Sequence, residues 1–530
     1  MILNEQKLIS FRLLWWLLPI GLTIYLVSFL AYLYPNFNDV AFWVITIVFA
    51  VLSYKKMEYG LMIIVAELIL GSKGYLLSQS VFDYVISLRL SFFIVIFIIW
   101  TIKRISDKQW RFWKTSLKWP FILFTVFLSY GLVNGLLNSS AKTAFFDLNG
   151  YLFFGLLIIG FDIIRNQKSI LNLIKVIISS SLILGLFTFI LFINFSFINY
   201  NDGLVVATQV NEEQLAKLGQ TPETAPLGQT LDQDQELLKV RYDELTSDKN
   251  ISYRWLRDTG LAEISYLGGK FFRVFFYSHL YLMISFVLFL MIVLNNWDKM
   301  IAKYKFVNTI YLLFITFTVL ISFSRSILLG VIIAVLVSLF YISKRRRWQL
   351  VVTILLLLVV SSLIIKVVAP ETYEVITDRL LSFYNPQTET AAVTRVSLLG
   401  EVWNKFMENP VMGSGFGASV VLPNIIPGSD DVYFTSVYLY EWTYLDIAVK
   451  IGLLGLLALI WLIIGIIKQV NKLREFIEYK IIYLWFTITL ISFIVINITT
   501  PYINHPLGIG WLIIVYLVSW NLVKLKNVES

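Results

Sequence analysis

The chain of 530 residues contains no cysteine. That absence excludes disulfides, thiolate nucleophiles and cysteine-based metal sites. Histidine is nearly absent as well: His279 and His505 stand far apart in sequence, which gives a zinc site little to build on, and no metal or cofactor is expected. Charge is scarce, with Asp, Glu, Lys and Arg at 15%, where a soluble domain carries about a quarter. Hydrophobic residues make up 58% of the chain. One soluble core holding them all would exceed the roughly 250–300 residues at which such cores stop growing. A net charge of +9 would suggest nucleic acid in a soluble protein. Here it reflects basic loops between apolar runs, and no nucleic-acid partner is expected.

What is present is a succession of apolar runs, each able to cross a hydrocarbon core of about 30 Å. The sequence predicts 14 spans, near 12–32, 39–53, 58–71, 83–102, 119–138, 145–163, 170–196, 271–295, 305–323, 327–343, 349–369, 445–467, 479–499 and 508–524. The third is short and reads as tilted or partly re-entrant. Lys7 and Arg12 precede the first run and no small-residue cleavage site follows it, so it reads as a retained helix rather than a signal peptide.

The loops sort by charge. One set holds Lys55 and Lys56, Lys103 to Lys114, Arg165 to Lys168, Lys299 to Lys305, Lys344 to Arg347, Lys468 to Arg474, and Lys524 with Lys526. Short loops rich in Lys and Arg stay in the cytoplasm, which puts both termini inside, as an even span count also requires. Two long segments then fall outside. The expected organisation is transmembrane helices over 1–195, an extracytoplasmic segment over 196–270, helices over 271–369, a second extracytoplasmic segment over 370–444, and helices over 445–530. The fold class is an all-α polytopic membrane protein with two larger extracytoplasmic segments. Within the first segment, residues 209–244 are rich in Gln, Glu and Asp, and their leucines permit short helices. Asp232-Gln-Asp234-Gln-Glu236 fails as a calcium loop, because Leu237 stands where Gly is needed and Asp243 where Glu is needed; it reads as a solvated acidic face.

Arginine at or within a span is costly and marks a candidate. Arg325 sits in a polar break, Ser322-Phe-Ser324-Arg-Ser326, between two spans. It either snorkels to mark a turn or, with the serine hydroxyls, binds a phosphate through its guanidinium fork. Arg273 follows Gly268-Gly-Lys270 and alone reads as an interfacial anchor. Arg89 reads as half of a buried structural pair, near Asp83 and with Glu67 as another partner. In the second segment, Val396 to Met407 has helical spacing and would lie amphipathic at the interface. Pro410 ends it, and Gly413, Gly415 and Gly417 permit a tight turn with exposed backbone N–H groups. No strand precedes this turn, so a nucleotide fingerprint is rejected. Glu441 and Asp446 lie where the chain re-enters the membrane; either they are the polar end of a span, or a carboxylate in that half-dry place serves as a base.

Three ordered pieces carry a resemblance: Ser324-Arg325-Ser326 before a span containing Gly330, the turn Asn409-Pro-Val-Met-Gly-Ser-Gly-Phe-Gly417, and the aromatic re-entry segment ending in Gly452-Leu-Leu-Gly455. Over about 268–457 the chain resembles the O-antigen ligase and polymerase superfamily of bacterial membrane glycosyltransferases. The resemblance implies a GT-C-like fold in the cytoplasmic membrane and a metal-independent reaction on a polyprenyl-diphosphate-linked glycan outside it. Glu441 would be the base and Arg325 and Arg273 the diphosphate clamps. Arg395, Arg379, Ser324, Ser326, Gly413, Gly415, Gly417 and Asp446 would contribute to substrate binding. The family commonly has a His where Glu441 stands, so either Glu441 takes over as base or this branch uses different chemistry.

A polymerase for O-antigen or exopolysaccharide fits better than a ligase, because the Glu441 departure and the extra outer segment both move away from the usual ligase pattern. The implied partners are the lipid-linked donor, a glycan acceptor, membrane lipid, and a flippase or chain-length regulator. Two other readings stand beside this one: a transporter or flippase of lipid-linked glycan, disfavoured because no symmetry relates the two halves, and a non-catalytic assembly protein.

Overall fold

The computed structural model describes residues 11–81, 84–107, 111–198, 250–268, 270–342, 344, 346–348, 350–351, 366, 373, 390–425 and 432–529. Helices dominate. In chain order they are α1 (Phe11–Leu33), α2 (Pro35–Lys55), α3 (Met57–Leu70), α4 (Leu88–Asp107), α5 (Lys118–Asn138), α6 (Ala141–Ile163), α7 (Gln167–Ile193), α8 (Ile251–Asp258), α9 (His279–Asn296), α10 (Ala302–Ser322), α11 (Arg325–Tyr341), α12 (Thr390–Glu408), α13 (Thr443–Asn471), α14 (Lys480–Ile496) and α15 (Pro506–Glu529). Among the described residues, nine helices are long and apolar enough to cross a membrane, and two shorter apolar helices, Pro19–Leu33 and Arg325–Tyr341, join them. At 14 residues, α3 rises only about 21 Å, in keeping with the short third span.

Three antiparallel hairpins interrupt the helical pattern: β1 (Ser78–Val81) with β2 (Tyr84–Ser87), β3 (Glu263–Gly268) with β4 (Phe271–Phe275), and β5 (Val420–Ile425) with β6 (Val432–Val437). Two expected spans are corrected by them. The span expected at 83–102 begins with β2 and becomes helical only at Leu88. The span expected at 271–295 begins with β4, and its helix starts at His279. Tyr-Val-Ile and Phe-Phe-Arg-Val-Phe are aromatic and β-branched and favour strands, and a short apolar run merges with the next helix when hydropathy alone is read. The expected span at 349–369 lies, but for residues 350, 351 and 366, outside the described residues, as do the short helices and acidic string of 209–244.

The core sits around α9 and α15. Every side chain from His279 to Ile292 is buried, and α9 packs against α7, α10, α11 and α14. A helix apolar all round needs neighbours on every side, and α9 has them. By contrast α2 exposes Trp43, Val44, Ile47, Val48 and Val51 along its outer face, as a helix bordering lipid does.

Polar contacts at the helix ends and loops fall into two sets that coincide with the two charge classes. At one end Lys103 donates to the Tyr54 carbonyl, Arg104 pairs with Asp162 at 2.6 Å, Arg346 pairs with Asp298 and Lys526 with Glu478. At the other, Asn38 Nδ2 donates to the Ser78 carbonyl at 2.7 Å, the Tyr277 N–H to Ser72 Oγ at 3.1 Å, and Thr443 Oγ1 to the Thr500 carbonyl at 2.9 Å. The second, basic-poor end carries the hairpins β1–β2 and β3–β4 and nearly every described candidate residue.

Candidate functional site

The site is organised by a break in a membrane helix. Gly452 interrupts α13 with φ 71° and ψ 177°, and a helix broken at membrane depth must have its freed backbone groups satisfied by other protein. The turn after α12 does this. Ser414 N–H donates to the Val449 carbonyl at 2.7 Å and Gly415 N–H to the Lys450 carbonyl at 3.0 Å; in return the N–H groups of Leu453 and Leu454 donate to Pro410 and Val411 at 2.9 and 3.3 Å. Gly413, Gly415 and Gly417 adopt φ of 82°, 92° and 81°, where L side chains are strained. Space is as tight as conformation: a Cβ on Gly413 would lie 2.5 Å from the Gly452 nitrogen, and one on Gly415 2.4 Å from the Gly135 nitrogen.

The exposed N–H groups expected in this turn are therefore not found. Gly413 donates to the Asn409 carbonyl, Phe416 to the Gly131 carbonyl, and Gly417 to Asp147 Oδ2 at 2.8 Å. The donors are spent on the protein, and the three glycines act as close-packing positions rather than as an open cradle. The helix before them matches expectation: α12 buries Leu398 and Val402, exposes Trp403 and Met407, and stops at Glu408 ahead of Pro410.

Beneath the turn lies a buried ion triad. Lys450 Nζ pairs with Asp147 and, at 2.6 Å, with Asp446 Oδ1, all three side chains being 1–2% exposed. Asp446 also accepts from Asn504 Nδ2 at 2.9 Å and from the Tyr440 N–H at 3.4 Å. The network thus ties α6, α13, the glycine turn and the 497–505 loop together. Asp446, expected at the substrate, is committed here to holding the protein. Sequence reasoning missed Asp147 and Lys450 as a pair. Two signals were available: a charge inside an apolar run needs a partner, and Asp446 and Lys450 are spaced i, i+4. Nothing in the sequence links Asp147 to a residue 303 positions away.

Glu441 is 6% exposed, on the short segment that leads into α13. Its neighbour Tyr440 donates its hydroxyl to the Ala418 carbonyl at 2.8 Å. Burial, then the charges of Asp446, Asp147 and Glu408, raise the Tyr440 phenol well above its ordinary range, so it remains a donor.

Arg273 is on β4, opposite Ser265. Its Nη2 is 3.5 Å from Glu263 Oε2, and its guanidinium lies 5.3 Å from the Phe275 ring centre. Lys73 reaches the same carboxylate at 3.9 Å and lies 4.3 Å from the Tyr277 ring centre. The Tyr277 ring is 6.1 Å from that of His505, which follows Asn504, the Asp446 partner. Burial, then Arg89 and Lys73, depress the His505 pKa well below its ordinary value, so the ring is neutral near pH 7. Lys73 was not singled out from the sequence, where it sits unmarked in the loop after α3. Arg325 opens α11 after Phe323, which takes a left-handed φ of 43°, and Ser324 Oγ is 3.3 Å from Ser326 Oγ. The Phe323 ring lies 6.5 Å from that of Phe271, so the Arg325 turn abuts the hairpin that carries Arg273.

Other expectations resolve simply. Arg89 and Glu67 form the buried pair anticipated, with contacts of 2.8 and 3.1 Å. Asp83, Arg379 and the Arg395 side chain lie outside the described residues. His279 is fully buried, with Nε2 3.0 Å from Thr188 Oγ1. Among the described residues no three His, Asp or Glu side chains are grouped as a metal ion needs.

Residues 310–460 match the family described as O-Antigen ligase, a stretch that takes in the Arg325 turn, the glycine turn and the Glu441 segment. No curated protein matches the chain.

Proposed function

We propose that this multi-pass membrane protein of the O-antigen ligase/polymerase superfamily is a glycosyltransferase that joins polyprenyl-diphosphate-linked oligosaccharides on the outer face of the bacterial cytoplasmic membrane. Both termini are in the cytoplasm, as the basic loops require. The observation that carries the reading is that Arg273, the Arg325 turn and the Glu441 segment all lie at the basic-poor end of the bundle, in a chain that matches this family over residues 310–460.

The chemistry follows from those groups. No nucleoside triphosphate is supplied outside the membrane, so the donor arrives activated by its diphosphate. The acceptor hydroxyl attacks the anomeric carbon and gives its proton to the Glu441 carboxylate. The anomeric C–O bond breaks, its electron pair leaves with the polyprenyl diphosphate, and the anomeric centre inverts. Arg325 and Arg273 stabilise the charge growing on the departing diphosphate, so the step as written requires no metal. Segment 370–444 is the catalytic segment in this scheme, with Arg395 and Arg379 as secondary diphosphate ligands. A flippase and a chain-length regulator are the fitting protein partners.

Polymerisation is favoured over ligation by the carboxylate at 441 and by the additional segment at 196–270. The interrupted helix at Gly452 is the feature a transporter would use, but the 410–417 turn fills the break. The test is transfer by purified protein given a polyprenyl-diphosphate oligosaccharide, with products sized on a gel. The wild type makes a ladder that Arg325→Ala and Glu441→Gln lose. A single longer product on a lipid-core acceptor would mean ligation. Liposome-to-liposome movement of the carrier without product would mean transport.

A further inference from the structure

Lys73 and Glu263 have no part in the reaction above, yet the fold holds them with some strain. Ser72, fully buried, adopts φ 50°, a left-handed conformation that strains a non-glycine residue. Its hydroxyl accepts from the Tyr277 N–H, so the loop after α3 is fastened to the exit of the β3–β4 hairpin. Gly260, at φ 60°, lies under the Lys73 side chain: a Cβ there would meet Lys73 Cδ at 3.0 Å. The aliphatic stem is thus passed over a glycine and the ammonium is set against the Tyr277 face.

The result is two cations from different halves of the chain around one carboxylate. Arg273 Nη2 and Lys73 Nζ stand 3.5 and 3.9 Å from opposite oxygens of Glu263, and the three side chains are 22–29% exposed. These distances are ion-pair contacts, longer than the roughly 2.7–2.9 Å of a charge-assisted hydrogen bond. Arg273 Nε donates to no acceptor among the described residues. Among the described residues, Arg273 and Lys73 both face the Glu263 carboxylate. An anion with more charge and more oxygens than a carboxylate would satisfy both cations at shorter range, and an ammonium beside a guanidinium suits phosphate oxygens.

Resting on the reading given under Proposed function, we propose that Lys73 is a second ligand of the carrier diphosphate beside Arg273, and that the Glu263 carboxylate occupies the diphosphate position until the donor displaces it. Glu263 is then a built-in competitor. It prevents the two cations from repelling in the empty enzyme, and it favours release of the spent polyprenyl diphosphate by returning between them.

The test pairs variants of opposite expected sign in the full-length purified protein, with inorganic pyrophosphate as probe and the donor KM in the transfer assay as second readout. Lys73→Ala weakens pyrophosphate binding and raises the donor KM by about tenfold, as loss of one charged hydrogen bond does, and Lys73→Arg restores both. Glu263→Gln tightens pyrophosphate several-fold and slows turnover at saturating donor. If Glu263 only positions Arg273, Glu263→Gln weakens binding instead and the proposal fails. If an active wild type and both variants bind pyrophosphate and donor alike, Lys73 is a packing residue and the proposal fails while the glycosyltransferase reading stands. A wild type that neither transfers sugar nor binds pyrophosphate overturns both. Thermal unfolding of Lys73→Ala beside Lys73→Arg separates loss of a ligand from loss of the loop: equal stability with unequal affinity supports the proposal, and loss of both together is the structural outcome that overturns it.

Discussion

Single residues divide here into those that hold the site and those that would act in it. Glu441→Gln keeps the shape of the side chain and removes the proposed base. Turnover is expected to fall by about 10²- to 10⁴-fold, with the thermal unfolding temperature in detergent unchanged, and Glu441→His is expected to retain more activity than Gln. Lys450 behaves in the opposite way. Removing its ammonium leaves Asp147 and Asp446 facing each other with 2% exposure or less. Breaking a buried pair costs about 3–5 kcal/mol, so Lys450→Met lowers the unfolding temperature sharply, and adding Asp147→Asn recovers part of the loss because the two effects are not additive. His505 ties stability to pH. Its folded pKa is held well below the unfolded value of about 6.5. Above that value both states are neutral and nothing is lost. As pH falls below about 6.5 the unfolded chain takes up the proton that burial, Arg89 and Lys73 deny the folded one, so stability declines. His505→Gln flattens that decline in an unfolding series from pH 8 to 5.

The element that decides the architecture of the site is α13, broken at Gly452 and mended by the 410–417 turn. Glycine is required on both sides of that joint: Gly452 meets Val411 O at 2.2 Å from where its Cβ would stand, and Gly413 meets the Gly452 nitrogen at 2.5 Å. Alanine at either position must push backbone aside at a positive φ, which costs more than the 0.4–1 kcal/mol, roughly, that Gly→Ala gives where it fits. Gly400 on α12 has nothing within 4 Å of its Cβ position, so Gly400→Ala is neutral or stabilises by up to about 1 kcal/mol. Circular-dichroism melts of Gly452→Ala, Gly413→Ala and Gly400→Ala check the contrast, and equal melts for all three would mean that the joint is not tight.

For the whole molecule, the prediction is its orientation. Because the chain has no cysteine, a single introduced cysteine reports its side of the membrane without background. Lys142→Cys, exposed at the basic-poor end, is expected to react with an impermeant maleimide in intact cells, and Lys472→Cys, exposed at the basic end, only after permeabilisation. Labelling of Lys472→Cys in intact cells would reverse the topology and remove the extracytoplasmic site with it.

Apolar runs, basic loops, the Arg325 break and the Pro410 stop are local signals: hydropathy, charge sign and helical spacing act over a few residues, so the chain alone determined a polytopic helical bundle and its two ends. The first residues of two expected spans went to strands because an aromatic, β-branched run is as apolar as a helix and only its partner strand distinguishes them. The triad of Asp147, Lys450 and Asp446, and the pairing of Lys73 with Arg273 around Glu263, were decided by tertiary structure alone. An ion pair forms within about 4 Å in space and carries no trace of that distance along a chain, and the N–H groups of the glycine turn became donors to α13 only once the break at Gly452 had been laid beside them.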